Sequence, residues 1–324
     1  MSKPLASLSL DLDNQWSYMK IHGEDGWEDY PSYLDIFVPY VLKVLEELEL
    51  KITFFIVGQD AAFEKNHSML RSLAEAGHEI ANHSFKHETW LHLYTKDEMK
   101  NEIDKAHDII KQVTREEPIG FRGPGFSWSN TLLEVLGEKG YVYDASTLPT
   151  VIGPLARFYY FRTSKLTKEE RKDRKEIFGK FSDGFRKLNP YFWKLKNGGR
   201  LLELPVTTMP VFRIPFHLSY LLYLSNISDG LMMFYLKCAI YLCKITKTEP
   251  SFLLHPLDLI GGDQISALAF FPGMNISSER KIFIFKKVMK VLHKHYTLVP
   301  MNEHVSTIID RGSIKSVPIG NSIS

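Results

Sequence analysis

The stretch S-L-S-L-D-L-D, Ser7 to Asp13, decides how the chain folds. Leu8, Leu10 and Leu12 alternate with small or polar positions, the period-two pattern of a strand. Asp11 and Asp13 stand where that strand should end. Aspartate is a poor strand former and is expensive to bury without a partner. Two apart on an extended chain, both carboxylates leave the same face and can share one cavity without a helix.

Working outward, short apolar runs alternate with helical patterns through the first 150 residues. Leu34 to Leu48 has apolar residues at helical spacing, and Ile52 to Val57 (I-T-F-F-I-V) reads as a buried strand closed by Gly58. A helix over Ser68–Ala76 stops at Gly77, and His78–Asn82 is a further strand. Thr95-Lys96-Asp97-Glu98 is a capping box that opens a helix to about Thr114. Ile119–Arg122, a helix over Asn130–Lys139 and Tyr141–Tyr143 follow. The alternation breaks at about Val151. It resumes with Leu201–Leu204, Ser251–Leu254, a helix over roughly Ser278–His293 and a strand at Thr297–Val299. Strands alternating with helices predict an α/β fold, a parallel sheet or β/α barrel. One domain is expected over 1–310, with an insertion at about 151–200 and a polar, mobile tail over 311–324.

The chain has 324 residues, 44% apolar and 24% charged, an ordinary globular composition. Its net charge of +2 excludes little, but the distribution is uneven. Between Ala156 and Arg200 there are 14 Lys/Arg against five Asp/Glu, a local surplus of +9. That suggests a surface for anionic lipid, phosphate or nucleic acid. Two cysteines, Cys238 and Cys243, make no disulfide framework. The N-terminal residues lack the apolar core of a signal peptide, and no run of about 18 apolar residues marks a membrane span. A cytoplasmic protein is the expectation.

Polar groups recur at the proposed strand ends. They are Asp11 and Asp13, then His83-Ser84-Phe85-Lys86-His87, Arg122-Gly123-Pro124-Gly125-Phe126, Tyr143-Asp144-Ala145-Ser146 and Leu254-His255-Pro256. In β/α barrels reactive residues gather at the C-terminal ends of strands, so these groups should converge. His83 and His87 are four apart, and on one turn both imidazoles can reach one ion. Two histidines and a carboxylate with open positions make a hydrolytic zinc site, and a second carboxylate can take a proton from its water. Taken singly, each motif has a plainer explanation: His-x-x-x-His is common in helix packing, Asp-x-Asp caps loops, and Arg122 or His255 could be satisfied core groups. Five such motifs at successive strand ends favour the functional reading.

Asp-x-Asp, His-Ser-x-x-His, Arg-x-Pro-x, Tyr-Asp-x-Ser and Leu-x-His, in that order, resemble the NodB-type polysaccharide deacetylases of carbohydrate esterase family 4. T-F-F-I-V-G (Thr53–Gly58), E-L-P-V-T-T (Glu203–Thr208) and L-L-H-P-L-D (Leu253–Asp258) extend the likeness. Many members carry adjacent aspartates; D-L-D here resembles a branch that includes some peptidoglycan deacetylases and lipid-linked sugar deformylases. The resemblance implies an irregular (β/α)7 barrel. It implies Asp13, His83 and His87 as ligands of zinc or another divalent transition metal, Asp11 as general base and His255 as general acid. It further implies Arg122 as the partner of Asp11 and the N–H of Gly125 as an oxyanion donor. Asp144 or Asp258 would orient His255 or Arg122.

The family removes N-acetyl or N-formyl groups from amino sugars. The basic residues of 156–200 are interleaved with aromatics such as Phe158, Tyr159, Tyr160, Tyr191 and Trp193, a composition suited to an interfacial anchor. Val211–Ile245 could add an apolar surface. The expectation is a peripheral enzyme of the cytoplasmic leaflet acting on an amino sugar carried by a polyprenyl phosphate or a related glycan precursor. A solvated hairpin over 156–200 is the plainer alternative, and nucleic-acid binding a weaker one. The rival from another class is a deacetylase fold that only binds glycan.

Overall fold

The computed structural model describes residues 3–153, 181–312 and 314–319. Twelve strands are found among them: β1 (Leu5–Leu12), β2 (Thr53–Ile56), β3 (Glu79–Asn82), β4 (Gly120–Phe121), β5 (Tyr143–Asp144), β6 (Tyr191–Lys194), β7 (Arg200–Glu203), β8 (Thr208–Met209), β9 (Ile214–Pro215), β10 (Ser251–Leu254), β11 (Thr297–Val299) and β12 (Ser316–Pro318). The main sheet runs β10-β1-β2-β3-β4-β5-β7-β6-β12. From β10 to β7 every neighbouring pair is parallel, a run of seven strands. The α/β fold expected from the alternation is therefore present.

The ring closes without a ladder. Beyond β7 the chain turns so that Thr207 N–H reaches the carbonyl of Ser251 in β10 at 3.0 Å, and Thr207 Oγ1 accepts from Ser251 N–H at 2.8 Å. The reason is competition for an edge: β6 pairs antiparallel with β7 and occupies the side that β10 would need.

Strand β1 is buried on both faces, as parallel strands under helices are. Ala6, Leu8, Leu10 and Leu12 pack outward against the helices Leu34–Glu47 and Ser278–His295. Ser7, Ser9 and Asp11 point inward. The interior also holds Phe55, Ala81, Tyr143, Leu202 and Leu204, against which Met301, Val305 and Ile308 of helix Met301–Asp310 pack. The helix Lys96–Thr114 begins with the expected box, Thr95 and Glu98 each capping the other's backbone, a device worth about 1 kcal/mol.

Two expectations need correction. Of the basic, aromatic stretch, 154–180 lies outside the described residues, but Tyr191 and Trp193 are buried in β6 rather than displayed. The tail is not uniformly loose: Ser316–Pro318 forms β12 and pairs with β6. Neither strand shows a long alternation, and each is held by its partner rather than by its own pattern.

Candidate metal and hydrolytic centre

Strand β1 ends at Leu12, one residue short of the second carboxylate. Asp13 leaves the extended path, its N–H turned back to the Asp11 carbonyl at 2.8 Å, and Tyr33 Oη donates to the Asp13 carbonyl. The same-face argument holds for a pleated strand; here a turn, not a pleat, aims Asp13. Asn14 then caps the helix Gln15–His22, with its side-chain amide held by Asp60 at 2.7 Å. Asp60 also accepts from Trp16 Nε1 at 2.9 Å. Burial pushes the Asp60 carboxyl up to about 6, against those two hydrogen bonds.

His83 and His87 sit on the loop leaving β3. His87 adopts φ +56°, left-handed backbone that costs a non-glycine residue about 1 kcal/mol or more and is held by its surroundings. Asp13 Oδ1 lies 2.8 Å from His87 Nε2 and 3.6 Å from His83 Nε2. The ligand atoms of Asp13, His83 and His87 all fall within 4.8 Å of one another, and all three residues are buried. His83 Nδ1 is 2.6 Å from the Arg122 carbonyl. A carbonyl only accepts, so Nδ1 carries the proton and Nε2 offers a lone pair inward. Asp13 Oδ1, meanwhile, is buried without a geometrically sound hydrogen bond. Asp13 Oδ1, His83 Nε2 and His87 Nε2 thus converge on one point, the residue set of a divalent transition-metal site. Burial would raise Asp13, but His87, then His83 and His255, outweigh it and hold the carboxyl at about 2. Burial holds His83 below its ordinary range, in the neutral form a ligand needs.

Beside this group Arg122 is fully buried. Its NH1 donates to Asp11 Oδ1 at 2.5 Å and to Ser9 Oγ at 3.0 Å; its Nε donates to the Ala145 carbonyl at 3.1 Å. Phe55 stacks 4.2 Å below the guanidinium and Met301 sulfur lies 3.7 Å from NH2. A buried cation is tolerated when its charge is paired and its donors are met, as here. Asp11 is therefore fixed by a buried cation, while Asp13 faces the two histidines.

After Arg122 the chain makes a tight turn. At Gly123 a Cβ would meet Ser127 O at 2.0 Å, and Gly125 has φ +59° with Thr89 close by. The turn's hydrogen bonds are made by Phe126 and Ser127 N–H, which leaves the N–H of Gly125 outside them.

His255 closes the constellation from β10. Its N–H donates to Asp258 Oδ2 at 2.9 Å, and its Nδ1 lies 3.6 Å from the same oxygen. Burial alone would lower the imidazole; Asp258, then Asp11 and Asp13, outweigh it and raise it to about 9. Asp258 is thus the carboxylate that orients His255. Asp144 does not take that place: Ser146 Oγ donates to it at 2.5 Å and accepts from Gly123 N–H at 2.8 Å. Burial raises both Asp144 and its neighbour Glu203 above the ordinary carboxylate range. Glu203 in turn holds Thr147 and Trp193 Nε1, so this pair braces the loops behind the site.

Sequence reading missed His217. Its ring packs 6.0 Å from that of His255, and its buried Nδ1 has no hydrogen-bond partner among the described residues. Burial, then the charge of His255, pulls it down to about 3, so it stays neutral. P-F-H-L has no motif character; only the path of the β8–β9 hairpin brings it here.

Residues 24–143 match the family model for polysaccharide deacetylases. A peptidoglycan deacetylase of Helicobacter pylori is 27% identical over 162 residues, 49% of this chain and 53% of that one. A peptidoglycan-N-acetylglucosamine deacetylase of Bacillus cereus is 33% identical over 115 residues, 36% of this chain and 41% of that one. A chitooligosaccharide deacetylase of Sinorhizobium fredii is 29% identical over 116 residues, 35% of this chain and 51% of that one. The chain spans about half the length of the relatives it matches. Among solved structures, a Mycobacterium smegmatis protein described as a candidate polysaccharide deacetylase superposes with a TM-score of 0.58 at 18% identity, over 98% of this chain and 94% of that one, a likeness of fold.

Proposed function

We propose that the chain is a polysaccharide deacetylase and that it hydrolyses the N-acetyl (or N-formyl) amide of an amino sugar in a glycan or glycan precursor, a reading supported by the family match over residues 24–143. The observation that carries this is the convergence of Asp13, His83 and His87 beside the buried Asp11–Arg122 pair. Asp13, His83 and His87 would hold zinc or a similar ion, which when bound would lower the pKa of a water and polarise the amide oxygen. Asp11, fixed by Arg122, accepts the proton of the attacking water. Gly125 N–H donates to the carbonyl oxygen as negative charge develops on it. His255, kept protonated by Asp258, hands a proton to the departing nitrogen, which makes the amine a viable leaving group. Base and acid are thus separate groups with opposite partners: a cation beside Asp11 and an anion beside His255.

The test is metal content of the purified protein followed by amine release from N-acetylated chitooligosaccharides. Stoichiometric metal, release that stops with a chelator, and loss of release in Asp11→Asn support the reading. Metal-loaded protein that releases no amine from N-acetyl or N-formyl amino sugars, yet binds glycan, would favour a glycan-binding module instead.

A further inference from the structure

Away from the site, the β8–β9 hairpin and the two helices after it present an apolar surface to solvent. Among the described residues, eight of the fourteen large apolar side chains that stand open fall between 211 and 245. Phe234, Tyr241 and Ile245 are 67%, 64% and 59% exposed and recur at helical spacing along Asp229–Ile245. Tyr223, at the end of helix Leu218–Ser225, and Val211 and Phe212, at the hairpin tip, extend the patch. Open aromatics recurring along one helix face, with more on the adjoining helix and hairpin, mark a docking face.

Its charge identifies the occupant. Arg213, Lys237, Lys244 and Lys247 lie in the same stretch, and the only acid from 211 to 247 is Asp229. That acid is already paired with Arg280 and Lys287. A second copy docked by the same face would bring two lysine-bearing helices together, and the stretch 211–247 has no unpaired acid to offset them. An anionic lipid surface supplies the missing charge and takes up the aromatics at its headgroup level. No helix of the described residues is long and apolar enough to cross a membrane, which fits a helix lying in the interface.

We propose that residues 211–247 dock the protein on anionic membranes, with helix Asp229–Ile245 in the plane of the headgroups. The site lies close by: His217, whose ring faces His255, immediately precedes helix Leu218–Ser225, and that helix is about 12 Å long. A docked molecule would hold its catalytic cleft near the headgroups, where an amino sugar on a lipid phosphate carrier is presented. That substrate class rests on the hydrolase reading above; the docking does not.

Flotation of the full chain with phosphatidylcholine vesicles, with and without phosphatidylglycerol, tests it. The protein should float with the anionic vesicles and not with the neutral ones. Phe234→Ser with Tyr241→Ser should weaken binding at least about tenfold, and Lys237→Glu with Lys244→Glu should weaken it comparably. Both double variants should release amine from a soluble N-acetylated oligosaccharide at the wild-type rate. No flotation of wild type, or unchanged flotation of the aromatic variant, would overturn the proposal. So would a concentration-dependent dimer, seen by light scattering, that the aromatic variant dissolves. Vesicle binding without amine release would sink the hydrolase reading and leave the docking standing.

Discussion

The main-chain carbonyl of Arg122 lies 2.6 Å from His83 Nδ1, while the guanidinium of the same residue holds Asp11 at 2.5 Å. One residue therefore sets the tautomer of a proposed metal ligand through its backbone and the position of the proposed base through its side chain. The two duties are separable by mutation. Arg122→Lys keeps the carbonyl and shortens the fork, so metal stoichiometry should be retained while kcat falls about 100-fold. Metal analysis beside steady-state kinetics checks this; loss of both would mean that the guanidinium builds the metal site as well.

His83→Ala and Asp13→Ala should each lose the metal at neutral pH, because either change leaves two donors where three converge. Elemental analysis after dialysis reads the loss. Retention of one ion per chain in His83→Ala would remove that residue from the ligand set.

The alkaline limb of the rate profile should report His255. Asp258 favours the protonated imidazole, so replacing it lowers the pKa of the acid. Asp258→Asn is therefore expected to move the high-pH fall in kcat/KM to lower pH by about one unit or more. An unmoved limb would separate His255 from proton delivery.

Acid stability offers a check remote from the metal. His78 accepts a hydrogen bond from Ile52 N–H at 3.2 Å, and burial, then Lys51, pulls it from 6.5 down to about 4. The unfolded chain binds this proton first. The neutral imidazole thus stabilises the fold fully above about pH 6.5, and that contribution is lost as pH falls toward 4. His78→Gln does not titrate. The stability difference between wild type and variant, from urea denaturation, should shrink by on the order of 2 kcal/mol across that window.

Much of this was legible in the sequence. The helices capped by Thr95 and stopped by Gly140, and the strands Ser251–Leu254 and Thr297–Val299, stand where local pattern put them, because propensity and tertiary packing agree there. The convergence of Asp11, Asp13, His83, Arg122 and His255 was also readable, since each stands at or just beyond the C-terminal end of a strand of one parallel sheet. Three things were not. β6 and β12 borrow their extended form from each other. The turn at Asp13 depends on the side chain of Tyr33, twenty residues on. His217 arrives by the route of a hairpin that no motif announces. Each depends on contacts distant in sequence, which no local period records.

Helix Met301–Asp310 packs into the barrel from below, its Met301 sulfur against Arg122 and its His304 ring 3.1 Å from Ser7 Oγ. Every residue of the site precedes it in the chain. On a polypeptide emerging from its N-terminus, the ion pair at the heart of the barrel would stay wet from beneath until this helix is made and seated. The dryness that strengthens Asp11–Arg122 is thus among the last properties the molecule acquires during its own synthesis.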